Sequence, residues 1–216
     1  MMKKMLAAAI LFFSTVLCFS QYNDNWLYVG ARLGGAPNFY TAEGAYKSYQ
    51  ANFASSLGFN GAAQAAVQIN ELFAIQVELI YTHDETITNN SGLEEKFESD
   101  SLLIPVLAKM TYNRGKIYIA GLLGLYVSAP AGDMKKTVTS NGNTLSYSDT
   151  YSSPLGFMAG VSLGYKMGPG IVFADLRWAG DISKTRYNDR GNAADLYSRG
   201  KMPITLGYEI GLISKK

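Results

Sequence analysis

Seven polar residues stand alone inside alternating, largely apolar segments, and they are the residues of this chain best placed for chemistry. Three are cations, three are anions and one is an amide: Arg32, Gln76, Glu78, Lys109, Asp175, Arg177 and Glu209. Side chains alternate between the two faces of a strand, so these seven share one face and apolar residues fill the other. Charges on an enclosed face each need a partner. The pattern predicts a neutral internal network that stabilises and fills the interior; gating of a conduit by the same charges is the alternative.

A second candidate is the acidic segment around the only histidine of the chain, His83. Its neighbours include carboxylates that could bind a hard divalent cation: Asp84, Glu85, Glu94, Glu95, Glu98 and Asp100. The segment has no metal-ligand spacing such as that of an EF-hand loop, so we interpret it as a solvated acidic loop without a metal. The sequence also has no P-loop and no nucleophile elbow. We therefore predict neither an enzyme nor a cofactor.

Tyrosines form the third candidate group, because exposed aromatic residues on loops can anchor a partner. Those that fall between the apolar segments are Tyr40, Tyr46, Tyr49, Tyr147, Tyr151, Tyr187 and Tyr197. They are predicted contacts for a surface ligand, with simple packing at the rim of the fold as the alternative.

The first 20 residues are predicted to be a cleaved signal peptide. Lys3 and Lys4 precede a short apolar run that ends at Leu17, and small residues follow before Gln21. Residues 21–216 then form the functional domain, which is free of cysteine because Cys18 is the only one. Of the 19 Lys and Arg residues two lie in the leader, which leaves 17 against 17 Asp and Glu. This neutral balance gives no electrostatic reason to expect a nucleic-acid partner.

Eight segments alternate apolar and mixed residues with period two, as strands do. Two of them are the arms of a hairpin from Ser101 to Val127, each about 11 residues long, which is the length of a tilted strand that crosses a bilayer. The other six are Trp26–Leu33, Gly58–Ile69, Phe73–Tyr81, Phe157–Tyr165, Ile171–Trp178 and Ile204–Leu212. Charges lie on one parity only, so the apolar parity faces lipid. Connections alternate between short turns and long loops, as in outer-membrane barrels. The sequence predicts an all-β fold, an eight-stranded antiparallel up-and-down transmembrane β-barrel.

Details of the strands lead to more local predictions. Gly34–Pro37 is expected to break the first strand, residues 83–100 and 181–200 to be loops, and residues 129–153 to extend as a hairpin through Asn141-Gly142. Pro105 lacks a ladder donor, so a bulge or a local kink is expected near it. Two aromatic girdles are predicted, with Trp26, Tyr112 and Tyr165 at one rim and Tyr81, Tyr126 and Trp178 at the other.

Three of these strands resemble those of the PorT-like outer membrane β-barrel domain. The segments are Phe73–Tyr81 (FAIQVELIY), Leu103–Lys109 (LIPVLAK) and Ala120–Tyr126 (AGLLGLY). The resemblance implies an outer-membrane barrel and fixes no substrate, because members of that family have varied roles.

These observations favour an outer-membrane, porin-family protein that displays four surface loops, with a largely filled lumen and at most narrow solute passage. The alternatives are a partner-binding component of an envelope export machine and a small-solute channel. The expected partners are outer-membrane lipid and a surface ligand or envelope protein, and the barrel is expected to be a monomer.

Overall fold

The computed structural model describes residues 25–42, 53–54, 57–90, 93–140, 143–149, 155–183, 185–189 and 192–214. The predicted leader lies outside these residues. Among the described residues no helix is long and apolar enough to cross a membrane. They form thirteen strands: β1 Asn25–Ala42, β2 Phe53–Ala54, β3 Leu57–Gln68, β4 Phe73–Asn90, β5 Leu93–Arg114, β6 Ile117–Pro130, β7 Met134–Ser140, β8 Asn143–Asp149, β9 Leu155–Met167, β10 Gly170–Asp181, β11 Thr185–Asp189, β12 Asn192–Lys201 and β13 Ile204–Ser214.

Eight of these strands close into a ring in which every neighbouring pair is antiparallel. The order is β1, β3, β4, β5, β6, β9, β10 and β13, and β13 pairs with β1 again. Leu33 of β1, for example, lies opposite Gly61 on one side and opposite Leu206 on the other. The predicted eight-stranded antiparallel barrel is confirmed.

The short connections of the ring all lie at one end, which we call the short-turn end. They comprise residues 69–72, 115–116 and 168–169. Gly115 and Gly168 each have a φ of 61°, a left-handed conformation that glycine adopts without strain. In the first turn, the Asn70 side-chain oxygen accepts hydrogen bonds from the backbone N–H groups of Leu72 and Phe73 at 2.9 and 2.8 Å. We call the opposite end the long-loop end.

The remaining five strands extend the sheet at the long-loop end. β2 pairs with β4, the β7–β8 hairpin pairs with β5, and the β11–β12 hairpin pairs with β1 and β10 through β12. The hairpin predicted within residues 129–153 is confirmed, although its turn residues 141–142 lie outside the described part. The predicted loops over 83–100 and 181–200 are wrong, because β4 and β5 stay paired from His83–Asp100 to Asn90–Leu93 and β11 pairs with β12.

The break predicted at Gly34–Pro37 is also wrong, since β1 runs through these residues without interruption. A Cβ on Gly34 would collide with the carbonyl oxygen of Ile204, so the glycine allows the β13 backbone to approach closely. Pro37 has no N–H to donate, but its carbonyl oxygen accepts a hydrogen bond from the Met202 N–H at 3.1 Å. Gly34 and Pro37, which were expected to end the strand, therefore take part in the pairing of β1 with its neighbours.

Pro105 causes less distortion than predicted. The β4–β5 register is the same on both sides of it, with Val77 opposite Val106 and Ile80 opposite Leu103, although the two positions between them are not paired. The pairing of Pro105 with Tyr126 on β6 continues without a shift. The expected bulge is wrong, because one missing donor interrupts the ladder without changing its register.

The outer face of the ring is apolar and exposed, as in a wall that meets lipid. Trp26 and Tyr165 near the short-turn end, and Tyr81 and Trp178 near the long-loop end, lie on this face. Tyr126 is the exception to the predicted girdles. It lies on the inward parity of β6 and is 4% exposed, and Gly156 opposite leaves room for its ring.

Two glycines of β6 give a matched test of how tightly the ring is packed. A Cβ on Gly124 would collide with the Val106 carbonyl oxygen, whereas a Cβ on Gly121 meets no atom within 4 Å. We expect Gly124→Ala to lower the stability of the folded barrel by about 1–3 kcal/mol, as overpacking does. Gly121→Ala should leave it nearly unchanged. Thermal unfolding in detergent, followed by the heat-dependent gel shift, measures both; equal effects would contradict the close contact between β5 and β6.

Candidate functional site: the barrel interior

The interior of the barrel holds all seven polar residues that the sequence singled out. Each side chain points into the lumen, and each residue is at most 4% exposed: Arg32, Gln76, Glu78, Lys109, Asp175, Arg177 and Glu209. The strands β1, β4, β5, β10 and β13 position them, because each residue lies on the inward parity of its strand. The lumen therefore brings together residues up to 177 positions apart in the chain.

The central cluster consists of two arginines and two carboxylates. Arg177 Nη1 donates to both carboxylate oxygens of Glu78, at 2.8 and 2.9 Å, and Arg177 Nε donates to Asp175 Oδ2 at 3.0 Å. Arg32 Nη2 donates to Glu78 Oε2 at 2.9 Å, and Arg32 Nε lies 3.8 Å from Asp175 Oδ2. Each carboxylate thus faces both guanidinium groups. Planar forks suit this geometry because one arginine can bind two carboxylates at once.

Neutral side chains complete the central cluster, and the sequence analysis did not identify most of them. Arg32 Nη1 donates to Asn60 Oδ1 and Thr205 Oγ1, both at 3.2 Å. The Ser162 hydroxyl donates to Asp175, and the Gln76 amide donates to Glu78. Asn60, Ser162 and Thr205 share the inward parity with the charges, and that parity was the signal that could have found them.

A second cluster lies closer to the short-turn end. Lys109 Nζ donates to both carboxylate oxygens of Glu209, at 3.2 and 2.9 Å, and Gln64 Nε2 donates to Glu209 Oε2 at 3.0 Å. The same ammonium lies 5.4 Å from the centre of the Tyr118 ring. Gln76 Nε2 lies 3.4 Å from Gln64 Oε1, so an amide pair joins this cluster to the central one.

A third cluster lies at the long-loop end and was missed by the sequence analysis. Lys201 forms a buried ion pair with Asp84 and donates to Thr82 Oγ1 at 3.1 Å. The Tyr126 hydroxyl donates to Asp181 Oδ1 at 2.6 Å. These residues were missed because strand β4 was predicted to end at Tyr81 and the last residues before strand β13 were predicted to be loop.

An apolar layer separates the central cluster from the third one. On β4, Ile80 lies between Glu78 and Thr82 on the inward face, and on β10 Ala179 lies between Arg177 and Asp181. The packed cluster comprises Ala62, Ile80, Leu103, Leu107, Leu122, Tyr126, Met158 and Ala179. A smaller group, Tyr118, Ala120, Ile171 and Phe173, packs toward the short-turn end. The interior of an eight-stranded barrel is just wide enough for side chains to fill, and here they fill it.

The acidic segment is divided between the two faces of the β4–β5 hairpin. His83 Nδ1 lies 2.8 Å from Asp100 Oδ1 on the outer face, whereas Asp84 points inward to Lys201. Further along the outer face, Lys96 Nζ lies 3.2 Å from Glu85 and 2.6 Å from Glu98. The side chains of Glu94 and Glu95 lie outside the described part. Within the described part, no three His, Cys, Asp or Glu residues are grouped so that they could hold a metal ion.

The predicted tyrosine contacts stay predictions. Tyr46, Tyr49 and Tyr151 lie outside the described residues, and for Tyr40, Tyr147, Tyr187 and Tyr197 the description covers the backbone alone.

A closed ring of eight antiparallel strands with an apolar outer wall and a filled, charged interior defines a transmembrane β-barrel of the outer-membrane class. The chain belongs to the outer membrane protein beta-barrel domain family, whose sequence model matches residues 19–183. The protein is therefore located in the outer membrane. Barrels of this class place their short turns in the periplasm. We therefore expect the short-turn end to be periplasmic and the long-loop end to face outward.

Solved structures show the same fold at low sequence identity. OprG from Pseudomonas aeruginosa is 10% identical, with a TM-score of 0.54 over 88% of this chain and 99% of that one. A major outer membrane protein from Thermus thermophilus is 14% identical, with a TM-score of 0.51 over 87% of this chain and 99% of that one. At such identities the likeness concerns the fold alone. No curated protein sequence matches this chain.

One similar structure is that of an enzyme, the outer membrane protease OmpT from Escherichia coli. It is 8% identical, with a TM-score of 0.43 over 89% of this chain and 98% of that one. This distant likeness says nothing about catalysis by the present chain.

The central cluster gives a prediction that uses both partners of an ion pair. Arg177→Leu leaves Glu78 and Asp175 short of a buried cation, so we expect a loss of about 3–5 kcal/mol in unfolding free energy. Arg177→Leu combined with Glu78→Leu should recover part of that loss, because Arg32 and Asp175 still form a pair. Unfolding in detergent micelles measures both, with Lys135→Leu as the control because Lys135 is exposed on β7. An unchanged stability of Arg177→Leu would contradict a stabilising role for the cluster.

The outer part of the β4–β5 hairpin gives a prediction about pH. The hydrogen bond from Lys96 holds the pKa of Glu98 below its ordinary value of 4.5. A lowered pKa in the folded state means that this pair stabilises the hairpin above pH 4.5 and that the contribution is lost as the pH falls through the lowered value. NMR titration of the Glu98 carboxyl carbon should give a midpoint below 4.5, and Lys96→Gln should raise it. Identical midpoints in the two proteins would show that Lys96 does not stabilise the charged form.

Proposed function

We propose that the protein is a non-catalytic, porin-family barrel that anchors and displays an outer β-sheet on the cell surface, with a lumen closed to all but narrow solute passage. The observation that carries the proposal is the filled lumen. In each of the three clusters a cation is paired with a carboxylate, and an apolar layer lies between two of the clusters. A permanently open ion conduit would need a continuous polar path through the apolar layer, which contains Ile80, Leu107 and Met158.

The outer strands support the proposed role in surface display. Five strands extend the sheet beyond the ring at the long-loop end, so the surface segments are held by backbone pairing. The β7–β8 hairpin also has hydroxyl contacts across its strands, with Thr137 and Thr139 3.4 Å from Ser146 and Thr144. A sheet of this kind offers a shaped surface to a ligand or an envelope protein, and the tyrosines of the same segments are the proposed contacts.

The second candidate function is a partner-binding component of an envelope export machine. Such a component would also need no conducting lumen. Co-purification of a stable envelope protein with the barrel from native membranes would favour this candidate over surface display.

Planar-bilayer conductance of the refolded barrel tests the closed lumen. We expect no steady conductance from the wild type, with the heat-dependent gel shift as proof of folding. Changing both Leu107 and Met158 to Ala removes two side chains from the apolar layer, so brief openings are expected from this variant alone. Discrete, sustained conductance steps from the wild-type barrel would overturn the proposal and favour the small-solute channel.

A further inference from the structure

The periplasmic rim of the barrel carries a group of cations on two adjacent turns. Arg114 ends β5 on the outward parity, Lys116 lies in the following turn, and Lys166 precedes the next one. The Lys166 N–H donates to the Lys116 carbonyl oxygen at 2.8 Å, so the two turns are joined. None of the three cations forms an ion pair with a carboxylate of the described residues. The exposed carboxylate in the described part of this rim is Glu71, on the remaining turn.

The side chains of Arg114 and Lys116 are exposed at the rim, where the barrel wall is expected to meet the lipid headgroups. Lys116 Nζ is 5.8 Å from the ring centre of Tyr165, which is outward and exposed among the aromatic residues of this rim. Tyrosine and tryptophan collect at the membrane–water interface. The ammonium is therefore held beside an interfacial ring, where phospholipid phosphates of the inner leaflet are found.

An apolar groove opens on the same wall, deeper in the membrane. Its volume is about 590 Å³, and its lining includes Met110, Gly121, Leu123, Val161 and Trp178. Gly121 lines the groove without a side chain, and a Cβ there would meet no atom within 4 Å. Ligand pockets commonly have volumes of about 300–1,000 Å³, so the groove is large enough to hold part of a small molecule.

The register places the cations and the groove in line. At the rim, Arg114 of β5 pairs with Ile117 of β6, and Ile117 pairs with Tyr165 of β9. Four residues deeper along β5, Met110 pairs with Gly121, and Gly121 pairs with Val161. Four residues of strand span about 13 Å. A molecule with an anionic head at Arg114 and Lys116 and an apolar tail of that length or more would reach the groove.

We propose that this wall is a binding site for one anionic glycerophospholipid of the inner leaflet. Its phosphate lies against Arg114 and Lys116, and one acyl chain occupies the groove at Gly121. Charge selects an anionic headgroup over a zwitterionic one, and the groove selects a lipid over a soluble phosphate. The phosphate and the acyl chain both lie on the lipid side of the wall, so the proposal does not depend on whether the barrel conducts or displays.

Native mass spectrometry of the refolded full barrel tests the site, with mixed micelles that contain equal phosphatidylglycerol and phosphatidylcholine. We expect the wild type to retain phosphatidylglycerol preferentially. The preference should fall about fivefold for each cation removed in Arg114→Gln and Lys116→Gln, the effect expected of a basic residue near a membrane surface. Gly121→Leu fills the groove and should reduce retention of both lipids, with the cations intact.

Matched variants distinguish a site from general attraction. Lys135→Gln removes an exposed cation at the opposite end, and Ala63→Leu adds a side chain to the outer face of β3, away from the groove. Both should bind as the wild type does, and all variants should show the gel shift of a folded barrel. Equal retention of the two lipids by the wild type would overturn the proposal. So would an unchanged preference in the variant that lacks both Arg114 and Lys116.

Discussion

A bilayer core offers no hydrogen-bond partner to a backbone N–H or C=O group, and this constraint shapes the whole protein. A ring of eight strands satisfies it because each strand has a neighbour on both sides, from β1 round to β13 and back. Once the ring closes, strand parity assigns every side chain to lipid or to lumen. The apolar side chains of the outer face are solvated by lipid. The polar side chains of the inner face can contact only one another, because an eight-stranded ring leaves little room for water. The charges of the lumen must therefore satisfy one another.

In the central cluster, each carboxylate is shared by two arginines. Arg177 and Arg32 both face Glu78 and Asp175, so each carboxylate is balanced by guanidinium groups of the chain itself. Sharing also links strands that are not neighbours in the ring: β1, β4 and β10 are connected across the lumen. A buried pair contributes little net stability compared with an apolar core, but a broken pair is costly. Removing one partner of the cluster is therefore expected to cost more stability than the intact cluster contributes.

The sequence predicted this architecture well where parity alone decides. Arg32, Lys109 and Arg177 were assigned to the lumen because their neighbours along the strand are apolar and occupy the other face. Parity was not applied to Tyr126, which was assigned to a girdle because it is aromatic, although its position on β6 requires it to point inward. The strand ends were wrong for a different reason. Residues 83–100 are acidic and polar, as a solvated loop would be, but β4 and β5 stay paired there, and Lys96 contacts Glu85 across the hairpin. Asp84 and Lys201 were missed with it, because their contact depends on where the strands end.

The length of the fifth strand has a consequence for recognition at the cell surface. β5 has 22 residues, about twice what the hydrocarbon core requires, and roughly 25 Å of it continues outward in unbroken pairing with β4. The outer hairpin is thus a paired continuation of the same two strands that carry Glu78 and Lys109. If this hairpin binds a ligand as proposed, ordering the receptor costs little additional entropy, because backbone pairing already restrains the two strands.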